Sequence, residues 1–185
     1  MKKYNILAIA SSFVLGGLGM VSCNSVDKEA YAADQVKVEK FLQQAATNDN
    51  FQLMAGMMAN DQSKSGNVGA LGEKIYHVHS RTNPVLEEIA KKKSVKLPAG
   101  MGSEKKAIVD SLEVKKGADF DKTFAEVEVK AYEEAVAVYE KADKEVVDKD
   151  VQAFIDQILP VLKEHLSEAV ALQSELAKPS EQGRP

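Results

Sequence analysis

Asp150–Leu176 reads DVQAFIDQILPVLKEHLSEAVALQSEL. Val151, Ile155, Ile158, Leu162, His165, Ala169, Leu172 and Leu176 recur in steps of three and four, which places all of them on one face of a helix. Asp156, Lys163, Glu164 and Glu168 fall between them, on the polar side. A strand would need alternation at every second residue, and this segment has none. A long helix with one apolar face has to bury that face against other helices. Pro160 interrupts the pattern: its ring removes a backbone donor and crowds the carbonyl of Asp156, so a kink is expected there.

The same period recurs upstream. Phe124, Val127, Ala131, Ala135, Val138 and Ala142 mark a third long helix starting near Asp121, with Glu126 and Lys130 as a favourably oriented pair. Its many glutamates read as a solvated face. The fourth helix should begin near Asp148 or Asp150. Leu71, Ile75, Val78, His79, Thr82, Leu86 and Ile89 mark a second helix over 70–92. Asn83-Pro84 should kink it, or divide it with Asn83 as a cap. Pro98 to Gly102 reads as a turn, and Ser103 can cap a short helix carrying Ile108, Val109 and Leu112. Val38, Phe41, Leu42 and Ala45 open the first helix, and Phe51, Met54, Met57 and Met58 continue it. Thr47 to Asn50 are poor helix formers and suggest an irregularity inside it. Asn60 to Gly69 reads as a loop by composition. The sum is an all-α chain, an antiparallel four-helix bundle with a short extra helix between the second and third long ones.

The beginning of the chain has a different character. Lys2 and Lys3 precede an apolar, small-residue-rich run over 6–21, too short and too broken by Ser11, Ser12 and glycines for a spanning helix. Met20-Val21-Ser22-Cys23 closes the run and resembles the lipobox of exported bacterial lipoproteins. The resemblance implies cleavage before Cys23, lipidation of its sulfur and acylation of the new amino terminus. An ordinary signal with an incidental cysteine is the alternative. Several acyl chains would anchor the protein stably, since each buried methylene contributes roughly 0.8 kcal/mol. The expected organisation is residues 1–22 as signal peptide, 23–34 as lipidated tether, 35–177 as the bundle and 178–185 as a disordered tail. Asn24, where an aspartate would retain a lipoprotein at the inner membrane, points to an outer-membrane anchor facing the periplasm. Asp27 and Glu29 loosely resemble a surface-export signal.

Composition excludes several classes of function. The full chain carries 24 basic against 28 acidic residues, so it offers no electrostatic footprint for nucleic acid. Cys23 is the single cysteine, so no intramolecular disulfide forms. Three histidines, His77, His79 and His165, limit any catalytic or metal chemistry. No His-Glu-x-x-His, glycine-rich phosphate loop or nucleophile elbow occurs. The cluster of Met54, Met57 and Met58 reads as gap-filling core rather than soft-metal ligands. The chain is therefore expected not to be an enzyme and to need no cofactor.

Four blocks in order resemble one family. Phe41-Leu42-Gln43-Gln44-Ala45-Ala46 matches its opening helix. His79-Ser80-Arg81-Thr82-Asn83 with Leu97-Pro98 matches its second block, and Phe120-Asp121 with Tyr139-Glu140-Lys141-Ala142 its third. Leu159-Pro160-Val161-Leu162-Lys163-Glu164-His165-Leu166 matches the fourth. Together they resemble the bacterial envelope proteins grouped as domain of unknown function 4142, over about residues 35 to 175. The resemblance implies a ferritin-like helical bundle. It also shows departures: Gln52 replaces a glutamate of the first helix, Val78 an aspartate of the second and Tyr132 a histidine of the third. Ferritin-like metal sites need carboxylates and Glu-x-x-His pairs on facing helices, and neither inward stripe carries such a pair. Glu73 and His77 are spaced i and i+4, but His77 lies opposite Ile75, on the water side. His79, Tyr132 and His165 are therefore expected to form a structural polar cluster, with a metal site at His79 and His165 as the alternative. The function this supports is a non-enzymatic envelope lipoprotein, structural or interacting. Its expected partner is the membrane, reached through Cys23, and no protein partner can be named. A carrier with a cavity at the Pro84 and Pro160 kinks is a further alternative.

Overall fold

The computed structural model describes residues 23–178, which form five helices and, among those residues, no strand. They are α1 (Cys23–Gln62), α2 (Gly66–Lys92), α3 (Gly102–Glu113), α4 (Gly117–Glu145) and α5 (Lys149–Leu176). The expectations for a signal peptide over 1–22 and a tail over 179–185 lie outside the described residues. The segment expected as a tether is helical here, forming the first turns of α1, with residues 28–33 exposed. No helix is long and apolar enough to cross a membrane, among the described residues.

The helices make one bundle. α1 packs on α2 and α4, α5 packs on α4 and α2, and α3 lies against α1 and α4. Val38, Leu42, Phe51, Ile75, Leu86, Phe120, Phe124, Ile155 and Leu162 fill the interior, each at most 1% exposed. Burying one such side chain contributes roughly 1.5–3 kcal/mol. Near one end, the Tyr139 ring meets Phe41 edge-on at 4.9 Å and Phe154 at 6.2 Å, linking α4 to α1 and α5. Near the end of α1 and the start of α2 the contact is backbone to backbone. A Cβ on Gly56 would lie 2.7 Å from the Gly72 carbonyl oxygen, and one on Gly72 would run into the Ala59 methyl. Only glycine fits at either place.

Helix ends differ from the expectations in instructive ways. Asp148 caps α5, its side chain accepting from the amides of Asp150 and Val151 at 3.1 and 3.2 Å. Ser103 is not a cap, because α3 already starts at Gly102, whose φ of 77° lets the chain turn in. α2 starts at Gly66, before the expected start, and it runs unbroken through Pro84, as α5 does through Pro160. At the end of α2, Ser94 takes a left-handed φ of 57°, and Val95 N–H bonds back to the Ala90 carbonyl at 2.8 Å, which closes the helix as a glycine would. Lys93, next to it, pairs with Asp148 at 2.6 Å and Asp150 at 2.7 Å, tying that end to the start of α5.

α1 shows no irregularity at Thr47–Asn50. Thr47 Oγ1 bonds to the Gln43 carbonyl at 2.9 Å, while Asn48 and Asp49 are buried against the bundle. Tertiary contacts outweigh poor propensity there. The methionines divide: Met58 is core, but Met54 and Met57 are 42% and 49% exposed, so the core reading holds for Met58 alone.

Candidate functional site

Four helices each send polar side chains into the middle of the bundle. α1 supplies Asp49 and Gln52, α2 His79 and Thr82, α4 Glu128 and Tyr132, and α5 His165; all are buried. Residues three or four apart share a helix face, so each pair on α1, α2 and α4 projects to the same side.

His79, Tyr132 and His165 come together. His79 Nε2 lies 3.4 Å from the Tyr132 hydroxyl, which lies 3.0 Å from His165 Nδ1. Asp49 extends the chain: its Oδ1 is 2.7 Å from His79 Nδ1, and its Oδ2 accepts from Thr82 Oγ1 at 3.2 Å. His79 Nδ1–H donating to Asp49 and the Tyr132 hydroxyl donating to His165 Nδ1 make hydrogen bonds of the two shortest contacts. Burial, with the His79 charge second, lowers the His165 pKa to about 4, so its ring is neutral near pH 7. Burial first, then the charges of Glu128, Asp49 and Glu168, push the Tyr132 phenol well above its ordinary range, and it stays protonated. Beyond His165 the chain reaches a shallow groove of about 470 Å³ between α2 and α5, where Lys74 pairs with Glu168 on the adjoining surface. His77 stands apart, exposed and 3.5 Å from Glu73.

One turn along, Gln52 and Glu128 are both 0% exposed, and neither the amide nor the carboxylate has a partner at hydrogen-bonding geometry among the described residues. Burial raises the Glu128 pKa to about 8; Gln52 beside it and the Lys105 charge pull the other way without offsetting it. Lys105 itself lies with Nζ 4.8 Å from the Phe51 ring centre. Glu128 is thus a neutral acid at pH 7. This overturns the reading of the α4 glutamates as one solvated face: Glu126, Glu133 and Glu134 are exposed, but Glu128 is core.

Asp49 and Glu128 were both missed by the sequence reading, and both sit on inward stripes. Leu42, Ala45, Asp49 and Gln52 are spaced by three, four and three on α1, as Phe124, Glu128 and Tyr132 are by fours on α4.

The set does not suit the di-metal centre that a ferritin-like fold implies. Both Asp49 oxygens and His79 Nδ1 are engaged by protein, and the Tyr132 hydroxyl spaces the two histidines apart. Among the described residues, no group of three His, Cys, Asp or Glu side chains could hold a metal ion. Chemically the arrangement can order four helices and hold protons.

Cys23 is the first residue of α1, at the edge of the described chain. Pro84 and Pro160 are exposed and line none of the described cavities.

The fold is similar to the crystal structure of a conserved hypothetical protein, rv2844, from Mycobacterium tuberculosis, with a TM-score of 0.59. The match covers 84% of this chain and 99% of that one at 15% identity, a likeness of fold alone. No curated protein matches the sequence. The model of a family described as a domain of unknown function, DUF4142, matches residues 24–172, nearly the whole described chain, and the protein belongs to that family.

Proposed function

We propose that this protein is a lipid-anchored envelope bundle with a structural or interaction role and no catalysis of its own. The observation that carries the reading is the burial and mutual bonding of the convergent polar set: Asp49, His79, Thr82, Tyr132 and His165 are at most 7% exposed and bond to one another. Catalytic groups must meet their substrate within hydrogen-bonding reach, and these meet each other.

The proposal includes the architecture. α1, α2, α4 and α5 would form an antiparallel, ferritin-like four-helix bundle with α3 as the extra short helix. Opposed register between α1 and α2 supports it: Asp49 meets His79, while Gly56, further along α1, meets Gly72, further back on α2. Residues 1–22 would be removed as a signal peptide and Cys23 acylated, placing the bundle at the outer membrane facing the periplasm, with surface exposure as a variant.

Metabolic labelling with a fatty-acid probe tests the anchor. Cys23→Ser should lose the label and leave the precursor uncleaved; a labelled variant would overturn the anchor. A substrate screen tests the other half, where turnover lost on changing His79 or Tyr132 would refute the non-enzymatic role.

A further inference from the structure

The largest cavity among those described is unrelated to the buried polar chain. It is a cleft of about 770 Å³ between α1, α4 and the α2–α3 connection, within the usual size of small-molecule sites. Ala45, Leu97, Pro98, Ala135 and Val138 give it apolar walls. Two polar side chains on its lining are almost wholly buried, Asn48 at 6% and Tyr139 at 3% exposure. Among the described residues, neither the Asn48 amide nor the Tyr139 hydroxyl bonds another protein group, and neither is among the polar atoms shut off from solvent, so both can be reached from the cleft. Burial pushes the Tyr139 phenol well above its ordinary range, which keeps it a donor. A ligand's polar group would complete both.

The mouth has its own sign. Lys105 is 3.5 Å from Glu134, and Glu39 accepts from the Gln43 amide at 3.1 Å, which also bonds the Lys96 carbonyl. The ammonium groups of Lys40 and Lys96 have no ion pair among the described residues. Three lysines against two glutamates leave the cleft cationic, on a chain whose formal net charge is −4. Lys40 and Asn48 are eight residues apart on α1, so about 12 Å separates the cationic end from the buried amide.

We infer that this cleft binds a small amphipathic carboxylate, its anionic end at Lys40 and Lys96, its apolar body on the Ala135–Val138 wall and a second polar group at Asn48 and Tyr139. The inference goes beyond the proposed role and does not depend on the anchor.

The probe is 10-hydroxydecanoate, titrated calorimetrically into the purified full chain, with 1,10-decanediol as its uncharged counterpart. The diol should bind at least tenfold more weakly, and affinity for the acid should fall as salt rises. Reversing two exposed charges, Lys40→Glu with Lys96→Glu, should weaken the acid at least tenfold while the thermal melt is unchanged. Val138→Trp should fill the cleft and abolish binding. Equal affinity for acid and diol, indifference to the charge reversal, or no heat with either probe at millimolar concentration would each overturn the proposal. Should Val138→Trp fail to fold, Asn48→Ala replaces it: decanoate, which lacks the hydroxyl, should then bind as tightly as 10-hydroxydecanoate. A hydroxyl preference that survives Asn48→Ala would overturn the placement.

Discussion

Asp49 and Gln52 stand one turn apart on α1, and Tyr132 and Glu128 one turn apart on α4, yet the two levels of the core are built on opposite terms. At the level of Asp49, the polar side chains meet one another across helices, so the cost of burial is recovered in hydrogen bonds that also fix which helices touch. At the level of Gln52 and Glu128, burial is equally complete and the partners are missing. The first level can hold charge and geometry, whereas the second tolerates its acid only while the acid keeps its proton. Pairing, more than depth, decides what a buried polar group does to a fold.

The widest separation between the levels should come from pH. The Glu128 pKa is about 8 against 4.5 for an ordinary glutamate, so between those values the unfolded chain holds fewer protons than the folded one. Stability therefore falls as pH rises through that window, by on the order of 5 kcal/mol in all. Glu128→Gln should flatten this slope in urea titrations run from pH 5 to 9. An unchanged slope in the variant would mean the carboxyl is paired after all.

Breaking the saturated level should cost nearly as much at fixed pH. Asp49→Ala strands His79 Nδ1 and the Thr82 hydroxyl, and a loss of about 3–5 kcal/mol is expected from chemical denaturation at pH 7. A loss below 1 kcal/mol would show that the chain contributes no order.

His165 carries the opposite pH dependence. Its pKa of about 4 lies below the ordinary 6.5, so the unfolded chain binds the proton first and stability is lost as pH falls from 6.5 to 4, by about 3 kcal/mol. Between pH 4.5 and 6.5 the two slopes oppose each other and the wild type should be nearly flat. His165→Ala should cost about 1–3 kcal/mol at pH 7 and expose the Glu128 slope alone, with stability still rising down to pH 4.5. Metal content should be negligible in both proteins; stoichiometric zinc, iron or manganese lost in the variant would turn the cluster into a metal site.

Gln52→Leu sharpens the contrast with the smallest effect. An amide without partners has little to lose to an apolar side chain of similar volume, and a change below about 1.5 kcal/mol is expected at pH 6. A loss as large as that of Asp49→Ala would erase the distinction between the levels.

Much of this was legible beforehand. All four long helices follow from steps of three and four, and so does the short helix after Pro98. His79, Tyr132 and His165 were identifiable because each polar residue lay on or beside an otherwise apolar stripe. Asp49 and Glu128 were not. Hydrophobicity alone selects Val127 over Glu128 and Val138 over Tyr139 as inward residues of α4, which rotates the face by one residue, about 100°. Val127 and Val138 are only half-buried. In α1, Thr47 to Asn50 looked like a break because propensity is local, while the contacts that hold Asp49 come from α2, thirty residues away. The left-handed Ser94 carries no sequence signal comparable to a glycine.

The Gly56–Gly72 junction bears on how the molecule takes load. Elsewhere in the bundle, side chains of several rotatable bonds separate the helices and can yield by changing rotamer. Here main chain rests on main chain, so the gap is set by atomic radii and has almost no compliance. A pull applied lengthwise at the N-terminal end of α1 would reach α2 there as shear across a rigid contact, and the two helices should move as a single strut.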